Sequence, residues 1–195
     1  MVDSDLIRRC QSGDEEAFDS LYRAVYKKAL WTAYLISGNN DKAEDAIQET
    51  FYECFRDINK LQKTELFQAW FNRILVRKCW KLGKQKFPME SLDEDNKREL
   101  KDNIDVLEEV EKSLLSIQVK KVIDNLSTPL RTTIILFYYN ELSIKEISKA
   151  MDCFQGTVKS RLFYAKKILL KELGKEFHET QIPKRSNSKE GIVYE

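Results

Sequence analysis

Histidine is nearly absent from this sequence, and its cysteines do not occur in pairs. The single histidine is His178, and the four cysteines, Cys10, Cys54, Cys79 and Cys153, form no CxxC motif. Zinc sites draw several ligands of these two types from short stretches of chain, so the sequence predicts no metal site, and nothing in it indicates another cofactor. We expect the cysteines to be small buried residues and His178 to lie on the surface.

Long apolar runs are missing as well. No stretch approaches the roughly 18 to 20 apolar residues that a membrane-spanning helix needs, and the first ten residues, MVDSDLIRRC, show no signal-peptide pattern. We therefore expect a cytoplasmic protein with no membrane insertion. The strict alternation that marks strands is also nearly absent, and apolar residues recur at helical spacing instead. The predicted fold class is all-α.

Charged residues are abundant but unevenly distributed along the chain. Residues 1–88 hold 15 Lys+Arg and 13 Asp+Glu, residues 89–112 hold 4 and 10, and residues 113–195 hold 14 and 9. This distribution predicts two mildly basic blocks separated by an acidic linker at 89–112. Pro183 and the mixture of Lys, Arg, Ser and Asn around it predict a disordered tail at 175–195. We therefore expect two small helical domains, residues 1–88 and 113–174. The acidity of the linker fits either a solvated connection or a segment that docks on a basic groove.

The first domain is predicted to contain three amphipathic helices. Apolar residues recur at helical spacing over residues 18–26 and again over residues 43–58, after a loop at residues 37–40. A third helix is predicted from residue 66 to about residue 84. None of these segments shows a strand pattern, so we expect a small helical domain.

The strongest local pattern lies in the second domain, in the segment LSIKEISKAMDCFQGTVKSRLFYAKKILL. Ser143 followed by Glu146 three residues later is a capping box, which predicts a helix that runs to about Met151. Residues 152–154 then form a short turn, and a second helix begins at Gln155. Two helices joined by such a turn indicate a helix-turn-helix motif.

The second helix of this motif has one apolar and one basic face. Its cations are Lys159, Arg161, Lys166, Lys167 and Lys171. In helix-turn-helix proteins this helix lies in the major groove of DNA, with one face against the domain and the other near phosphates and base edges. Cations there neutralise phosphates and make binding salt-dependent. A helical hairpin with a solvated basic face would give the same pattern.

A second basic segment combines cations with aromatic residues. The cations are Arg73, Arg77, Lys78, Lys81, Lys84 and Lys86, and the aromatics among them are Trp70, Phe71 and Trp80. Cations that hold a nucleic-acid backbone beside aromatics that stack on bases are typical of single-strand binding. Some of these aromatics must also fill the core, and we expect Trp70 to be one of them.

Several motifs in the second domain resemble the promoter-recognising fourth domain of bacterial sigma factors. They are Leu126-Ser127, Pro129-Leu130-Arg131, Leu142-Ser143, Glu146-Ile147 and Gly156-Thr157-Val158-Lys159-Ser160-Arg161-Leu162. In the first domain, residues 42–51 resemble the family's core-polymerase-binding helix, and residues 67–74 resemble its promoter-opening segment. The resemblance covers about residues 3–174 and is to the small extracytoplasmic-function group.

The resemblance implies an alternative sigma factor without catalysis of its own. It implies binding to core RNA polymerase, through the clamp helices of the largest subunit and the flap region, to promoter DNA, and to an anti-sigma factor. On the helix at 43–58 we expect Ile47, Phe51 and Phe55 to face the core. The core-polymerase-binding residues predicted on its outer side are Asp45, Gln48, Glu49 and Tyr52.

The resemblance also implies two sets of DNA-binding residues. The minus-ten set is Trp70, Phe71, Arg73, Arg77, Lys78 and Lys81, with the preceding loop at 59–65 expected to hold a flipped base. The minus-thirty-five set is Thr157, Lys159, Ser160, Arg161, Phe163, Tyr164 and Lys167. Three positions depart from the family pattern: Arg77 stands where Asn is common, Phe154 where Pro or Ser is usual, and Tyr164 where Arg is frequent.

Two other functions are compatible with parts of the sequence. A transcriptional regulator would use the helix-turn-helix to bind duplex operator DNA without polymerase, but it leaves the motif at 42–51 and the aromatic-basic segment unexplained. A carboxylate-bridged metal enzyme could use Glu44, Asp45 and Glu49, but such sites also need histidines on helices, and the only histidine is His178.

Overall fold

Every regular element of the described chain is helical. The computed structural model describes residues 2–84 and 114–173. The first half contains α1 Ser4–Gln11, α2 Glu15–Ser37, α3 Asn40–Asp57 and α4 Phe67–Lys84, and the second contains α5 Leu114–Asp124, α6 Thr128–Ile134, α7 Ile144–Ala150 and α8 Gln155–Leu173. The all-α prediction is confirmed. The predicted linker at 89–112, the tail at 175–195, His178 and Lys86 lie outside the described residues.

Local capping residues explain where α2 begins and ends and where α3 begins. The Asp14 carboxylate accepts a hydrogen bond from the backbone N–H of Ala17 at 2.9 Å and starts α2. Gly38 ends α2 with a left-handed φ of 71°, which glycine adopts without steric cost. Asn39 then caps α3 by accepting from the backbone N–H of Lys42 at 2.9 Å. The predicted loop at 37–40 is therefore a helix stop followed at once by a helix start.

The core of the first half lies where α2, α3 and α4 meet, with α1 packed on α2. Ile7, Leu21, Cys54 and Leu75 are completely buried there. Such full removal of apolar side chains from water is the main stabilising contribution to a small helical domain. The three helices predicted for this segment correspond to α2, α3 and α4, and α4 begins one residue after the predicted start. Helix α1 was not predicted.

One core prediction for α3 is wrong. Ile47 and Phe51 face the core as expected, but Phe55 is 61% exposed. Its ring makes an edge-to-face contact with Phe18, with ring centroids 4.9 Å apart, at the rim of the bundle. Cys54 and Ile58 occupy the buried positions on either side of Phe55 in the sequence, and Phe55 itself lies at the edge of the buried face.

The second half contains the predicted helix-turn-helix. The Ser143 hydroxyl accepts from the Glu146 backbone N–H, and the Glu146 carboxylate accepts from the Ser143 N–H at 2.8 Å, so the capping box is confirmed. The turn after α7 is made by Asp152, whose φ is 51°. Ile147 and Val158 are completely buried where α7 packs on α8.

The two halves pack against each other along α4. This helix contacts α2 and α3 on one side and α7 on the other. Buried side chains accordingly occur on two faces of α4: Phe71 and Leu75 are buried near the rest of the first half, while Val76 is buried next to a cleft that α7 closes. The halves share one contiguous apolar core.

Most of the cysteines lie in this core. Cys10, Cys54 and Cys79 are buried, as expected, and Cys153 is half-buried in the turn of the helix-turn-helix. Burial raises the pKa of both Cys54 and Cys79 to about 12. Thiols with so high a pKa stay protonated and unreactive at neutral pH, because the thiolate is the reactive form.

Candidate nucleic-acid and protein interfaces

The exposed face of α8 is a continuous polar and aromatic strip. Val158, Leu162 and Ala165 are buried against the domain. On the opposite side the exposed residues are Lys159, Ser160, Phe163, Tyr164 and Lys167. Phe163 and Tyr164 are more than half exposed, and their rings contact each other edge to face with centroids 5.5 Å apart. The strip combines cations for phosphates with apolar groups for base edges.

Two predicted DNA-binding residues of α8 lie at the border of this strip. Thr157 and Arg161 are half-buried. The Arg161 guanidinium donates to the sulfur of Cys153 at 3.7 Å, which fixes it beside the turn between the two helices. Arg161 is therefore positioned by the motif itself rather than extended freely into solvent.

Phe154 is the most exposed large apolar side chain of the described residues. It stands immediately before α8 and is 88% exposed. Its carbonyl accepts from the backbone N–H of Thr157 at 2.9 Å and of Val158 at 3.2 Å, so the helix begins here without a side-chain hydrogen bond from Phe154. In helix-turn-helix proteins the first residues of the second helix are those that reach base edges.

The cations of α4 point in two directions. Arg73 and Arg77 line a cleft of about 360 Å³ whose other wall is the end of α7, and Trp80 lies in the same cleft. Lys78 and Lys81 point to α3 instead, where both approach the Glu49 carboxylate, at 3.1 Å and 3.8 Å. The basic segment predicted from the sequence is thus divided between two neighbours. The side chain of Lys84 lies outside the described atoms.

Lys78 is held by two carboxylates of α3. Its Nζ lies 2.9 Å from Glu53 and 3.1 Å from Glu49, and only 20% of the Lys78 side chain is exposed. Burial lowers the pKa of Lys78, but the hydrogen bonds and charges of Glu53 and Glu49 outweigh this effect, and the net pKa is raised. Lys78 joins α4 to α3 and is not a free cation.

The aromatics of α4 divide between the core and its border. Phe71 is 2% exposed and lies between Phe51 and Phe67, with ring centroids 5.4 and 5.6 Å away. We therefore assign Phe71 to the core and withdraw it from the predicted strand-binding residues. Trp70, which we expected in the core, is only half-buried and packs at the border of the core beside Phe67.

The outer side of α3 presents polar and aromatic groups together. Asp45, Gln48 and Tyr52 are exposed, as predicted, whereas Glu49 is half-buried by its ion pairs with α4. Tyr52 is 69% exposed, and Phe55 lies one turn further along the helix. Exposed aromatics next to acidic and amide groups are typical of a protein-binding surface rather than of a simple solvated face.

The loop before α4 is fixed at its base and open at its tip. The Gln11 side-chain amide donates to the carbonyls of Ile58 at 3.0 Å and Leu61 at 2.8 Å. Leu61 is buried, while Gln62 and Lys63 are exposed. A loop anchored in this way presents its exposed residues in a defined position beside the start of α4.

Comparison with known proteins identifies the family. The family model described as Sigma-70 region 2 matches residues 21–82, and that described as Sigma-70, region 4 matches residues 116–169. The ECF RNA polymerase sigma-E factor of Haemophilus influenzae is 31% identical over 183 residues, which cover 87% of this chain and 94% of the relative. The sigma-E factor of Escherichia coli K12 is 31% identical over 180 residues, with coverages of 87% and 93%.

This chain belongs to the ECF sigma factors of the sigma-70 family. It is an alternative sigma factor that directs transcription initiation. Two solved structures share its fold. CnrH, solved in complex with the cytosolic domain of CnrY, has a TM-score of 0.63 and 19% identity, and the match covers 86% of this chain and 94% of CnrH. RpoE of Bartonella quintana, solved in complex with the anti-sigma factor NepR, has a TM-score of 0.60 and 20% identity, and the match covers 80% of this chain and 96% of RpoE.

The two matched regions of the sigma factor correspond to its two halves. Region 2 spans α2 from residue 21 onward, all of α3, and α4 to residue 82. Region 4 begins in α5 and ends in α8. Within residues 2–84 and 114–173 no group of three or more His, Cys, Asp or Glu side chains is placed to hold a metal ion. No helix in this part of the chain is both long and apolar enough to cross a membrane.

Sequence reasoning missed two kinds of residue in this sigma factor. The apolar spacing of α3 predicts a core position for Phe55, and only the width of the buried stripe decides its exposure. Asn72 and Asn140 belong to no sequence motif, yet they are buried and hydrogen-bonded to each other at 3.1 Å across the two halves. Their separation of 68 residues leaves no local signal in the sequence.

Proposed function

We propose that the two halves of this sigma factor recognise the two elements of a promoter. Residues 114–173 read the minus-thirty-five element in duplex DNA through the exposed strip of α8. Residues 2–84 bind core RNA polymerase and capture the minus-ten element. The protein carries out no catalysis itself and acts in the cytoplasm, where the polymerase it directs is located.

The observation that carries this proposal is the two-sided character of α8. Its buried side packs on α7, and its exposed side presents Lys159, Ser160 and Lys167 with two aromatic rings. The lysines and the hydroxyl suit phosphates and base edges, and the rings of Phe163 and Tyr164 suit apolar contacts such as thymine methyl groups. Thr157 and Arg161, at the border of the strip, support the same contact.

For the minus-ten element the proposal rests on the residues of α4 that face away from α3. Arg73 and Arg77 bind the backbone of the captured strand, and Trp80, with Trp70 at the border of the core, offers aromatic surface to its bases. Lys81, with 64% of its side chain exposed, reaches the strand from the other side of the helix. Lys78 positions α4 on α3 through its ion pairs.

For polymerase the proposal uses the outer side of α3. Asp45, Gln48 and Tyr52 bind the clamp helices of the largest subunit, with Glu49 partly engaged by α4, and we add Phe55 to this set. A central aromatic pair with a polar rim is the usual composition of a binding hot spot. The second half contacts the flap region, as the family resemblance implies.

An anti-sigma factor is the regulatory partner we propose. CnrH and the RpoE of Bartonella quintana, which share this fold, were solved as complexes with the cytosolic domain of CnrY and with NepR. The exposed aromatics of α3 and α8 are surfaces that such a partner could cover.

In-vitro transcription tests the proposal. Bacterial core RNA polymerase transcribes a genomic promoter library with and without the protein, and the transcript starts are sequenced. New starts that share two spaced upstream elements are expected. No new starts, together with specific binding of the protein alone to duplex DNA, would instead establish an operator-binding regulator.

Two substitutions make the same assay specific for the proposed surfaces. Phe55→Ala is expected to weaken binding to core polymerase by about 10- to 100-fold, because an interface aromatic contributes roughly 1–3 kcal/mol. Tyr164→Ala is expected to change the preferred bases of the minus-thirty-five element while polymerase binding stays intact. Lys27→Ala, an exposed substitution on α2, is the control and is expected to change neither result.

A further inference from the structure

The residue that precedes α8 differs from those that precede four other helices of the described chain. Each of those four helices begins at a polar side chain that accepts a hydrogen bond from a backbone N–H of the first turn, and these caps are Asp3, Asp14, Asn39 and Ser143. Phe154 holds the corresponding position before α8, and its side chain has no polar atom. Helix α8 therefore begins without the stabilising side-chain cap that the chain uses elsewhere.

Phe154 also contributes almost no packing in this position. Its ring is 88% exposed, whereas Val158, one turn into the helix, is completely buried. A phenyl ring in water forgoes the stabilisation that burial would give it. A serine here would cap the helix and expose no ring. Phe154 is thus unfavourable for two separate reasons in the free protein, and residues that break local rules in this way are found mainly at functional sites.

The turn between α7 and α8 holds the backbone of Phe154 in a defined position. The Cys153 N–H donates to the Ser148 carbonyl at 3.0 Å, and the Arg161 guanidinium donates to the Cys153 sulfur at 3.7 Å. The Phe154 carbonyl accepts from the Val158 N–H at 3.2 Å. The chain on both sides of the ring is therefore fixed to α7 and α8, so a partner that contacts the ring does not have to order the backbone first.

The space around the start of α8 is open. Gln155 and Gly156 are exposed like Phe154. A Cβ placed on Gly156 would meet no atom of the described residues within 4 Å, apart from its chain neighbours and the helix backbone. Lys159 and Ser160, which we assign to the minus-thirty-five element, lie one turn further along the helix. A base pair next to those that Lys159 and Ser160 contact therefore has room to reach the ring.

The chemistry of the ring selects one feature of the major groove. The ring carries no charge and makes no conventional hydrogen bond, so it suits neither phosphates nor the polar edges of bases. Among the four bases only thymine presents a methyl group in the major groove, and this group suits an apolar side chain. Phe163, the other phenylalanine of α8, lies about 13 Å further along the helix axis at 1.5 Å per residue. It would therefore meet a different base pair.

We propose that Phe154 is a specificity-determining residue, whose ring packs on the methyl group of one thymine at the end of the minus-thirty-five element that meets the start of α8. Removal of the ring and the methyl group from water supplies the free energy of this contact. The polar residues Lys159 and Ser160 cannot make a contact of this kind. The inference rests on the proposed reading of the minus-thirty-five element by α8 and names one base that this helix prefers.

The test removes only the methyl group from the DNA. The full-length protein is combined with core RNA polymerase, and fluorescence anisotropy gives its affinity for a labelled promoter that the transcription assay has mapped. Each thymine of the minus-thirty-five element, on either strand, is replaced in turn by uracil, which keeps every hydrogen-bonding group and lacks the 5-methyl group. At the thymine that Phe154 contacts, this replacement should weaken binding about fourfold, the ratio that corresponds to about 0.8 kcal/mol for one methyl-sized group.

The same uracil scan with protein variants identifies the residue that contacts the methyl group. In Phe154→Ala the effect of uracil at that one position should disappear, and binding to the unmodified promoter should weaken. Phe154→Leu keeps an apolar side chain and should retain part of the effect. Leu170→Ala is the matched control, because it also removes an exposed apolar side chain of α8 but lies outside the proposed surfaces, and it should behave like the parent protein. Circular dichroism checks that each variant keeps its helix content.

A further variant separates base recognition from the stability of α8. Phe154→Ser offers a hydroxyl that can cap the helix, and it exposes no ring. Its urea midpoint of unfolding should therefore rise, while the effect of uracil is lost as in Phe154→Ala. These two changes have opposite signs for the protein, one favourable to folding and one unfavourable to recognition. A residue with a purely structural role would not give that combination.

Three results would overturn the role of Phe154. The first is a minus-thirty-five element without thymine, or one in which uracil affects Phe154→Ala as strongly as the parent protein at every position. The second is weaker binding of Phe154→Ala to core polymerase without DNA, since the ring would then contact protein. The third is an equal effect of uracil in Phe154→Leu and Phe154→Ala at the sensitive position. New transcript starts would still support the proposed function in each case, whereas their absence would remove the proposed function itself.

Discussion

Helices α4 and α8 contain similar types of residue but have different surroundings. Both combine lysines and arginines with aromatic residues, and both are proposed to contact promoter DNA. α8 buries one narrow stripe and presents the rest of its surface to solvent. α4 is buried on two faces, by the first half of the chain and by α7, and its cations are divided between Glu49 and Glu53 on one side and the cleft on the other.

The comparison teaches that a run of cations in a sequence does not define a surface. Along α8 the basic face survives folding because no other element packs on it. Along α4 two carboxylates of α3 draw Lys78 and Lys81 to one side, and Asp152 approaches Arg73 on the other. The same residue types are therefore available to DNA in one helix and largely occupied in the other.

The largest expected effect follows from the two-sided burial of α4. Leu75→Ala should lower the free energy of unfolding by about 2–5 kcal/mol, because Leu75 is completely buried and its truncation leaves a cavity. Leu170→Ala, on the exposed part of α8, should change it by less than about 0.5 kcal/mol. Urea denaturation followed by circular dichroism measures both. Equal losses of unfolding free energy in the two variants would contradict the difference in burial between Leu75 and Leu170.

The second prediction concerns the salt dependence of DNA binding. For minus-thirty-five duplex DNA, log affinity falls as log salt concentration rises. Lys159→Ala should make this fall shallower by about 0.9 in slope, the value for one lost phosphate contact. Lys78→Ala should leave the corresponding slope for single-stranded minus-ten DNA unchanged, because its ammonium is held by Glu49 and Glu53. Titrations at several salt concentrations give the slopes. A comparable loss of salt dependence for Lys78→Ala would show that the cations of α4 are as available to DNA as those of α8.

The smallest expected effect is at alkaline pH and is specific for α4. The folded pKa of Lys78 is raised above its ordinary value of 10.5, so its ion pairs stabilise the protein fully below that pH and are lost as the pH rises through the folded pKa. Lys78→Met should therefore lose less stability than the parent protein as the pH rises above about 10.5, the window that linkage predicts. Urea midpoints across this range measure the difference.

Glu53→Gln is the matched control for that experiment. It removes one carboxylate that pairs with Lys78 but leaves the lysine in place. Its alkaline dependence should change in the same direction as that of Lys78→Met and to a smaller extent, since Glu49 remains. An alkaline loss as large as in the parent protein for both variants would exclude the ion pairs as its cause.

Local signals made most of the fold predictable. The capping box of Ser143 and Glu146, the loop at 37–40 and the helical spacing of apolar residues each act over a few residues, and each is found where the sequence placed it. Phe55 shows the limit of this reasoning. Its spacing fits the buried stripe of α3, but whether a residue at the edge of a stripe is covered depends on how closely the neighbouring helix approaches.

The candidate site was predictable in composition but not in arrangement. The motifs in α3, α4 and α8 pointed to the helices that now carry the proposed surfaces, and Lys159, Phe163 and Tyr164 are exposed on one face as expected. Phe71 is instead a core residue, and Lys78 is paired with α3. Their roles depend on contacts with residues about 20 or more positions away, which spacing along one helix does not report.

The sequence by itself determined the helices, the helix-turn-helix and the family, because these depend on residue patterns that act within a turn or two of the chain or recur across relatives. Only the tertiary structure decided which cations are occupied, that α4 is enclosed on two sides, and that Asn140 meets Thr32 and Asn72. Those contacts join residues as far as 108 positions apart. Hydrogen bonds and ion pairs act over a few ångströms in space, and only the folded chain sets which distant residues come that close.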